Sequence, residues 1–243
     1  MKHVLLLAGT AEARCLAGRL WDMPGIALTG SLAGTTRDAH PVAVQTRHGG
    51  FGGAMGLAAY LRRNRVAALI DATHPFAAQM PWNAAEAAQA AGIPRLRLLR
   101  PAWPMRQGWL QVPDLAKAAQ AIPAGGRVFL TTGRRFLEPF LARPDLRVVI
   151  RSIDPAGPLP PHCHAIQGRP SDSYAAGFAV MCAYGITHLV TKNSGGKPAK
   201  LDAAEALSAQ VIVLPRPPQP DGPQVANVSE AVDWLHRTVG FGS

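Results

Sequence analysis

The chain has 243 residues, enough for one large or two modest domains, and 48% of them are hydrophobic, as in ordinary folded soluble proteins. Against 15 acids stand 25 lysines and arginines, leaving a formal charge of +10 that calls for an anionic partner: a polycarboxylate, a phosphorylated cofactor or nucleic acid. The charges are scattered and only 6% of residues are aromatic, which argues against a nucleic-acid partner. No stretch approaches the ~20 apolar residues of a membrane helix, and the apolar run after Met1 is too short for a signal-peptide core. Cys15, Cys163 and Cys182 are too few and too far apart for a disulfide framework, so a reducing, cytoplasmic compartment is expected. His162-Cys163-His164 is the one metal-like cluster. Its neighbours point to opposite sides of an extended chain and no second cluster follows, so no metal is expected.

In chain order, the apolar run 4–7 reads as a strand, turned by Ala8-Gly9-Thr10 into a helix over 10–20 with Thr10 as N-cap. Strands are expected at 26–31, 42–46, 67–70 and 96–99, and helices at 53–63 and 79–91. The segment Arg100-Pro101-Ala102-Trp103-Pro104 reads as a boundary, because two prolines in five residues end a strand and stiffen the crossing. Beyond it come helices at 114–121, 136–141, 173–184, 200–207 and 228–239. Strands are expected there at 127–131, 146–150, 188–191 and 211–214. Asn227 with Glu230 has the spacing of a capping box for the last helix.

Strands alternating with helices imply an α/β fold, and the unbroken apolar strands imply parallel sheets covered on both faces. The expected architecture is two Rossmann-like lobes, 1–100 and 101–243, with a ligand cleft between them.

Loops that follow parallel strands collect at one sheet edge, where ligands bind. Gly9-Thr10, Ser31 to Arg37, Gly49 to Gly53 and Asp71 to Phe76 are such loops in the first lobe. Four glycines in five positions at 49–53 imply a close backbone approach to a phosphate. A fold that prefers NAD puts an acid at the end of the second strand; here stand Ser31, Thr35, Thr36 and Arg37, which suit the 2′-phosphate of NADP. In the second lobe Thr132, Arg134, Arg151, Lys192, Ser194 and Gly195 follow strands, and Lys200 opens the next helix; cations so placed fit an anionic substrate. His74, in Asp71-Ala72-Thr73-His74-Pro75, is readable as an acid or as a loop anchor.

The chain resembles the precorrin-6A reductases of cobalamin (vitamin B12) biosynthesis, a family that includes the cobalt-precorrin-6A reductases. The resemblance runs nearly end to end through AGTAEARCLA, SLAGTT, RHGGFGGAMGLAAYL, LIDATHPFAAQ, RLLRPAW, VFLTTGR, VTKNSGGKPAKLDAAEAL and VLPRPP. It implies an NADPH-dependent oxidoreductase that reduces one C=C bond (C18=C19) of the polycarboxylate tetrapyrrole precorrin-6A to give precorrin-6B. On that reading Gly9, Thr10, Ser31, Thr36, Arg37, Gly50, Phe51, Gly52, Asp71 and Thr73 serve the cofactor. Thr132, Arg134, Arg151, Lys192, Ser194 and Gly195 serve the substrate, and Lys200 or His74 competes with solvent to supply the proton. Transient contact with neighbouring pathway enzymes fits such a role, with neither nucleic acid nor membrane as a partner. Other readings are a reductase of the cobalt-containing macrocycle, a non-catalytic tetrapyrrole carrier, and a nucleotide-sugar or phosphate-ester enzyme on the same fold. The last would need a nucleophile or metal carboxylates, which the sequence does not display.

Overall fold

The structure is a computed structural model, which describes residues 1–32, 45–133, 135–153, 157–168 and 173–240. The chain divides into two compact units, Met1–Pro101 with Pro217–Ser243, and Ala102–Arg216.

The first unit begins β1 (Lys2–Ala8), α1 (Ala11–Trp21), β2 (Ile26–Leu32), β3 (Gln45–His48), α2 (Gly53–Arg63), β4 (Val66–Ala72), α3 (Met80–Ala91) and β5 (Arg95–Leu98). The second contains β6 (Leu110–Gln111), α4 (Leu115–Gln120), β7 (Arg127–Leu130), α5 (Glu138–Leu141), β8 (Arg147–Ser152), β9 (Cys163–Gln167), α6 (Tyr174–Ala183), β10 (His188–Lys192), α7 (Ala199–Ala206) and β11 (Gln210–Leu214). The chain then returns to the first unit as β12 (Gln224–Val225) and α8 (Val228–Val239).

The first sheet runs β12-β5-β4-β1-β2-β3 and the second β6-β11-β10-β7-β8-β9, with every pairing parallel. The expected α/β fold with two parallel sheets is what the structure has.

The alternation of a strand explains why these runs are apolar throughout. In β1, Val4, Leu6 and Ala8 enter one core with Leu16 and Leu20 of α1 and Leu235 of α8. Leu5 and Leu7 enter the core on the opposite face, with Leu57 and Leu61 of α2 and Ala84 and Ala88 of α3. The second sheet repeats the pattern: Phe129, Val149, Leu189, Val211 and Val213 pack with Met181 of α6 and Leu201 of α7.

The expected second lobe of 101–243 is corrected at its far end. Residues from Pro217 onward belong to the first unit because β12 adds an edge to β5, with Gln224 opposite Arg97. The apolar stripe of α8, Ala231 and Leu235 with Val228 and Val232, closes over the core of the first sheet. Asn227 caps α8 by accepting from the Glu230 N–H at 3.0 Å, and the Glu230 carboxylate returns to the Ala226 N–H at 2.8 Å, one residue earlier than a capping box requires. The strand expected at 42–46 lies partly outside the described residues; β3 covers Gln45–His48. The short strands β6, β9 and β12 have no apolar run to reveal them. No described helix is long and apolar enough to cross a membrane.

Candidate active site

In the first sheet the strand order reverses between β1 and β4, since β1 is followed in sequence by β2 on one side and has β4 on the other. Ligands of open parallel sheets sit outside the carboxyl ends of the strands at such a point. Gly9 and Thr10 lie there. The Thr10 hydroxyl accepts from the Ala13 N–H at 3.1 Å, capping α1 as expected, and donates to the Ala72 carbonyl at 3.1 Å, so it ties the ends of β1 and β4 together. A Cβ at Gly9 would come within 3.3 Å of the His74 nitrogen and 3.4 Å of the Thr73 Cα. A side chain here would push on the loop that follows β4, and its absence leaves room for a ligand backbone at the mouth of α1.

Asp71 ends β4 with no exposed surface. Its Oδ1 accepts from the Thr73 N–H at 3.0 Å and the Thr73 hydroxyl at 2.7 Å, and pairs with Arg97 Nη1 at 2.8 Å. Arg97 also donates to the Thr73 carbonyl and hydroxyl. Asp71, expected to serve the cofactor, is buried here, and its carboxylate shapes the turn that carries Thr73 and His74. His74 is exposed. Its Nδ1 accepts from the Phe76 N–H at 3.1 Å, which leaves the proton of the neutral ring on Nε2.

Ser31 is buried near the end of β2, and no acid stands on that strand. Gly50, Phe51 and Gly52 lead from β3 into α2, with Gly52 at the N-cap in the left-handed region (φ 80°). Arg47, which the sequence reading passed over, organises this corner. It donates to the Ser31 hydroxyl at 3.0 Å and the carbonyls of Gly49 and Gly50 at 2.9 and 3.0 Å, and its guanidinium carbon lies 3.8 Å from the centre of the Phe51 ring. Its only sequence signal was its place two residues before the glycine run. Thr36 and Arg37 fall outside the described residues.

The second sheet reverses its order between β7 and β10. Thr132 follows β7, Lys192 ends β10, and Ser194 and Gly195 come next, so the structure brings these four to adjacent strand ends. The register of β7 with β10 runs to Leu130 opposite Val190, and Thr132 and Lys192 each lie two residues beyond that pair along their own segments. Thr132 is buried, and its hydroxyl has no hydrogen-bond partner among the described residues. Burial, and next the charge of Arg135, push the Lys192 ammonium below the ordinary lysine range. Arg151, near the end of β8, lies 5.1 Å from the Phe129 ring centre, and burial lowers its pKa. Arg134 falls outside the described residues.

Lys200 stands in the first turn of α7 with its Nζ 5.2 Å from the Trp103 ring centre. Trp103 and Asn193 were also missed. The Asn193 amide accepts from the Trp103 N–H at 2.8 Å and donates to the Trp103 carbonyl at 2.9 Å, while the Trp103 indole N–H donates to Gly196 at 2.7 Å. The boundary segment is thus the brace of the Asn193–Gly196 turn. A tryptophan beside two prolines was the available hint. His162 reaches the Phe140 carbonyl and His164 packs on Tyr184, so the two histidines of the metal-like triplet are engaged with separate partners.

Residues 3–236 match the family described as precorrin-6x reductase CbiJ/CobK. The chain is 46% identical to the precorrin-6A reductase of Rhodococcus erythropolis, over 97% of this chain and 98% of that one. It is 40% identical to the precorrin-6A reductase of Rhodobacter capsulatus, over 97% and 96%. A solved structure titled CobK precorrin-6A reductase superposes with a TM-score of 0.87 at 39% identity, covering 98% of this chain and 97% of that one. With two parallel sheets whose strand-end loops carry the matched motifs, this chain belongs to the precorrin-6x reductase family.

Proposed function

We propose that this protein is a precorrin-6A reductase that uses NADPH to reduce the C18=C19 bond of the macrocycle, giving precorrin-6B in cobalamin biosynthesis. The carrying observation is the likeness, at 46% identity over nearly all of both chains, to a protein of that name. Relatives named cobalt-precorrin-6A reductase are more distant, such as that of Synechocystis at 28% identity, which favours the metal-free macrocycle.

The residues fit a nicotinamide dinucleotide. The first unit has the strand order of a dinucleotide fold, with a Cβ-free approach at Gly9 and a second glycine loop after β3. Gly9 and Thr10 at the mouth of α1 would hold the diphosphate. Ser31 and Gly50 to Gly52 would hold the adenosine half, with Thr36 and Arg37 toward its 2′-phosphate, and Thr73 and His74 would border the nicotinamide. NADPH, when bound, supplies the hydride.

In the second unit Thr132, Arg151, Lys192, Ser194 and Gly195, with Arg134, would receive the macrocycle's carboxylates. The buried Thr132 hydroxyl gives a carboxylate oxygen a donor, and Lys192 at the end of the neighbouring strand gives a charge. Lys200 and His74 compete with solvent to protonate the ring carbon next to the one reduced. Lys200, with its Nζ 5.2 Å from the Trp103 ring centre, could hold a carboxylate as well as give a proton. Cys15, Cys163 and Cys182 are free thiols, consistent with a cytoplasmic enzyme.

The test is turnover of precorrin-6A and of its cobalt form, each with NADPH and with NADH. The reading expects fastest turnover for the metal-free macrocycle with NADPH. Faster turnover of the cobalt form overturns the substrate choice.

A further inference from the structure

Among the described residues, Arg47 links β2 to the glycine loop between β3 and α2. Arg47 donates to an oxygen of β2, the Ser31 hydroxyl, and to two successive loop carbonyls, those of Gly49 and Gly50. Its flat face lies on Phe51, whose ring meets Tyr60 of α2 edge-on with centroids 5.2 Å apart. Three donors in a rigid fork plus a stacked ring define a loop more tightly than a point charge does. The opposite wall of the loop is as close. A Cβ at Gly56 would fall 1.7 Å from the Phe51 carbonyl oxygen, so that carbonyl is seated directly on α2. The Gly49 and Gly50 carbonyls are engaged by Arg47 and the Phe51 carbonyl packs on α2, and the loop lies beside Ser31 at the strand end where a dinucleotide fold receives the ribose.

We propose that Arg47 is the positioning residue of the cofactor site, fixing the glycine loop and the Ser31 hydroxyl in the arrangement that receives the adenosine half of NADPH. This deepens the NADPH reading and rests on it. Arg47 acts through the loop, so the geometry of its fork matters and its charge alone does not suffice.

The experiment is fluorescence titration of NADPH into the native protein, Arg47→Ala, Arg47→Lys and Gly56→Ala, with far-UV circular dichroism to confirm folding. Gly56→Ala is the second route to the same loop. It leaves Arg47 in place and adds a better helix former to α2, yet displaces Phe51. Arg47→Ala and Gly56→Ala should each weaken NADPH binding about tenfold or more, and Arg47→Lys should stay within a few-fold of the alanine variant. In the macrocycle assay the KM for NADPH should rise in all three while the KM for precorrin-6A holds, a split that general loosening of the fold would not give. Native-like NADPH binding by Arg47→Lys overturns the proposal in favour of simple charge. Native-like binding by both Arg47→Ala and Gly56→Ala overturns it outright. A native protein that does not bind NADPH overturns the cofactor reading and this inference with it.

Discussion

Arg97 Nη1 lies 2.8 Å from Asp71 Oδ1, and the two side chains are 4% and 0% exposed. The pair joins β5 to the end of β4 and sets the turn of Thr73 and His74 beneath which Gly9 sits. Its charges leave water nearly completely, so removing one partner strands the other. Asp71→Asn or Arg97→Met should each cost about 3–5 kcal/mol in urea unfolding. The double variant should cost clearly less than their sum, because no uncompensated charge remains. Additive losses would show that the pair is not coupled.

Trp103 should matter through its indole N–H. Trp103→Phe keeps a ring under Lys200 but leaves the Gly196 carbonyl without that donor. The expected loss of stability is about 1–2 kcal/mol. The Asn193–Gly196 turn should loosen with it, raising the KM for precorrin-6A with NADPH affinity unchanged. An effect on NADPH alone would assign this turn to the cofactor.

Much of this was legible in sequence. Unbroken apolar runs and glycine turns placed eight strands and the loops after them, because parallel strands buried on both faces leave a strong signal. A boundary over Arg100 to Pro104, where the chain does leave the first unit, was legible from its two prolines. The return of residues 217 onward was not, since β12 is two residues whose pairing with β5 depends on a long-range contact. Residue roles were harder still. Asp71 looked like a ligand contact because it ends a strand at the binding edge, yet its partner Arg97 is 26 positions away and only the fold brings them together. Arg47 and Asn193 act by bonding backbone carbonyls, and no spacing rule marks such residues.

Lys192 should carry a stability penalty with a definite pH dependence. Its pKa is lowered in the folded protein, by burial first and then by Arg135, so the unfolded chain binds more protons between the folded and unfolded values. The penalty is full below the folded pKa and fades as pH rises toward the unfolded lysine value of about 10.4. Lys192→Gln should therefore melt higher than the native protein at neutral pH, with the gap closing in alkali. It should also bind precorrin-6A more weakly. A melting gap that widens in alkali would contradict the sign.

The proton source separates by solvent isotope effect. Single turnovers in deuterated water by Lys200→Ala and His74→Ala should show slowed chemistry in whichever variant lacks the donor, on the order of a hundredfold for a positioned acid. Near-native chemistry in both assigns the proton to solvent and leaves Lys200 as a carboxylate partner.

The central claim, hydride transfer from NADPH to the macrocycle, is tested most directly by giving the purified protein precorrin-6A with NADPH deuterated at nicotinamide C4. Mass spectrometry and NMR should find one deuterium on a ring carbon of the reduced product and one solvent hydrogen on its neighbour, from one of the two C4 epimers of the cofactor only. Unreduced precorrin-6A, or reduced product without deuterium from either epimer, would contradict the account.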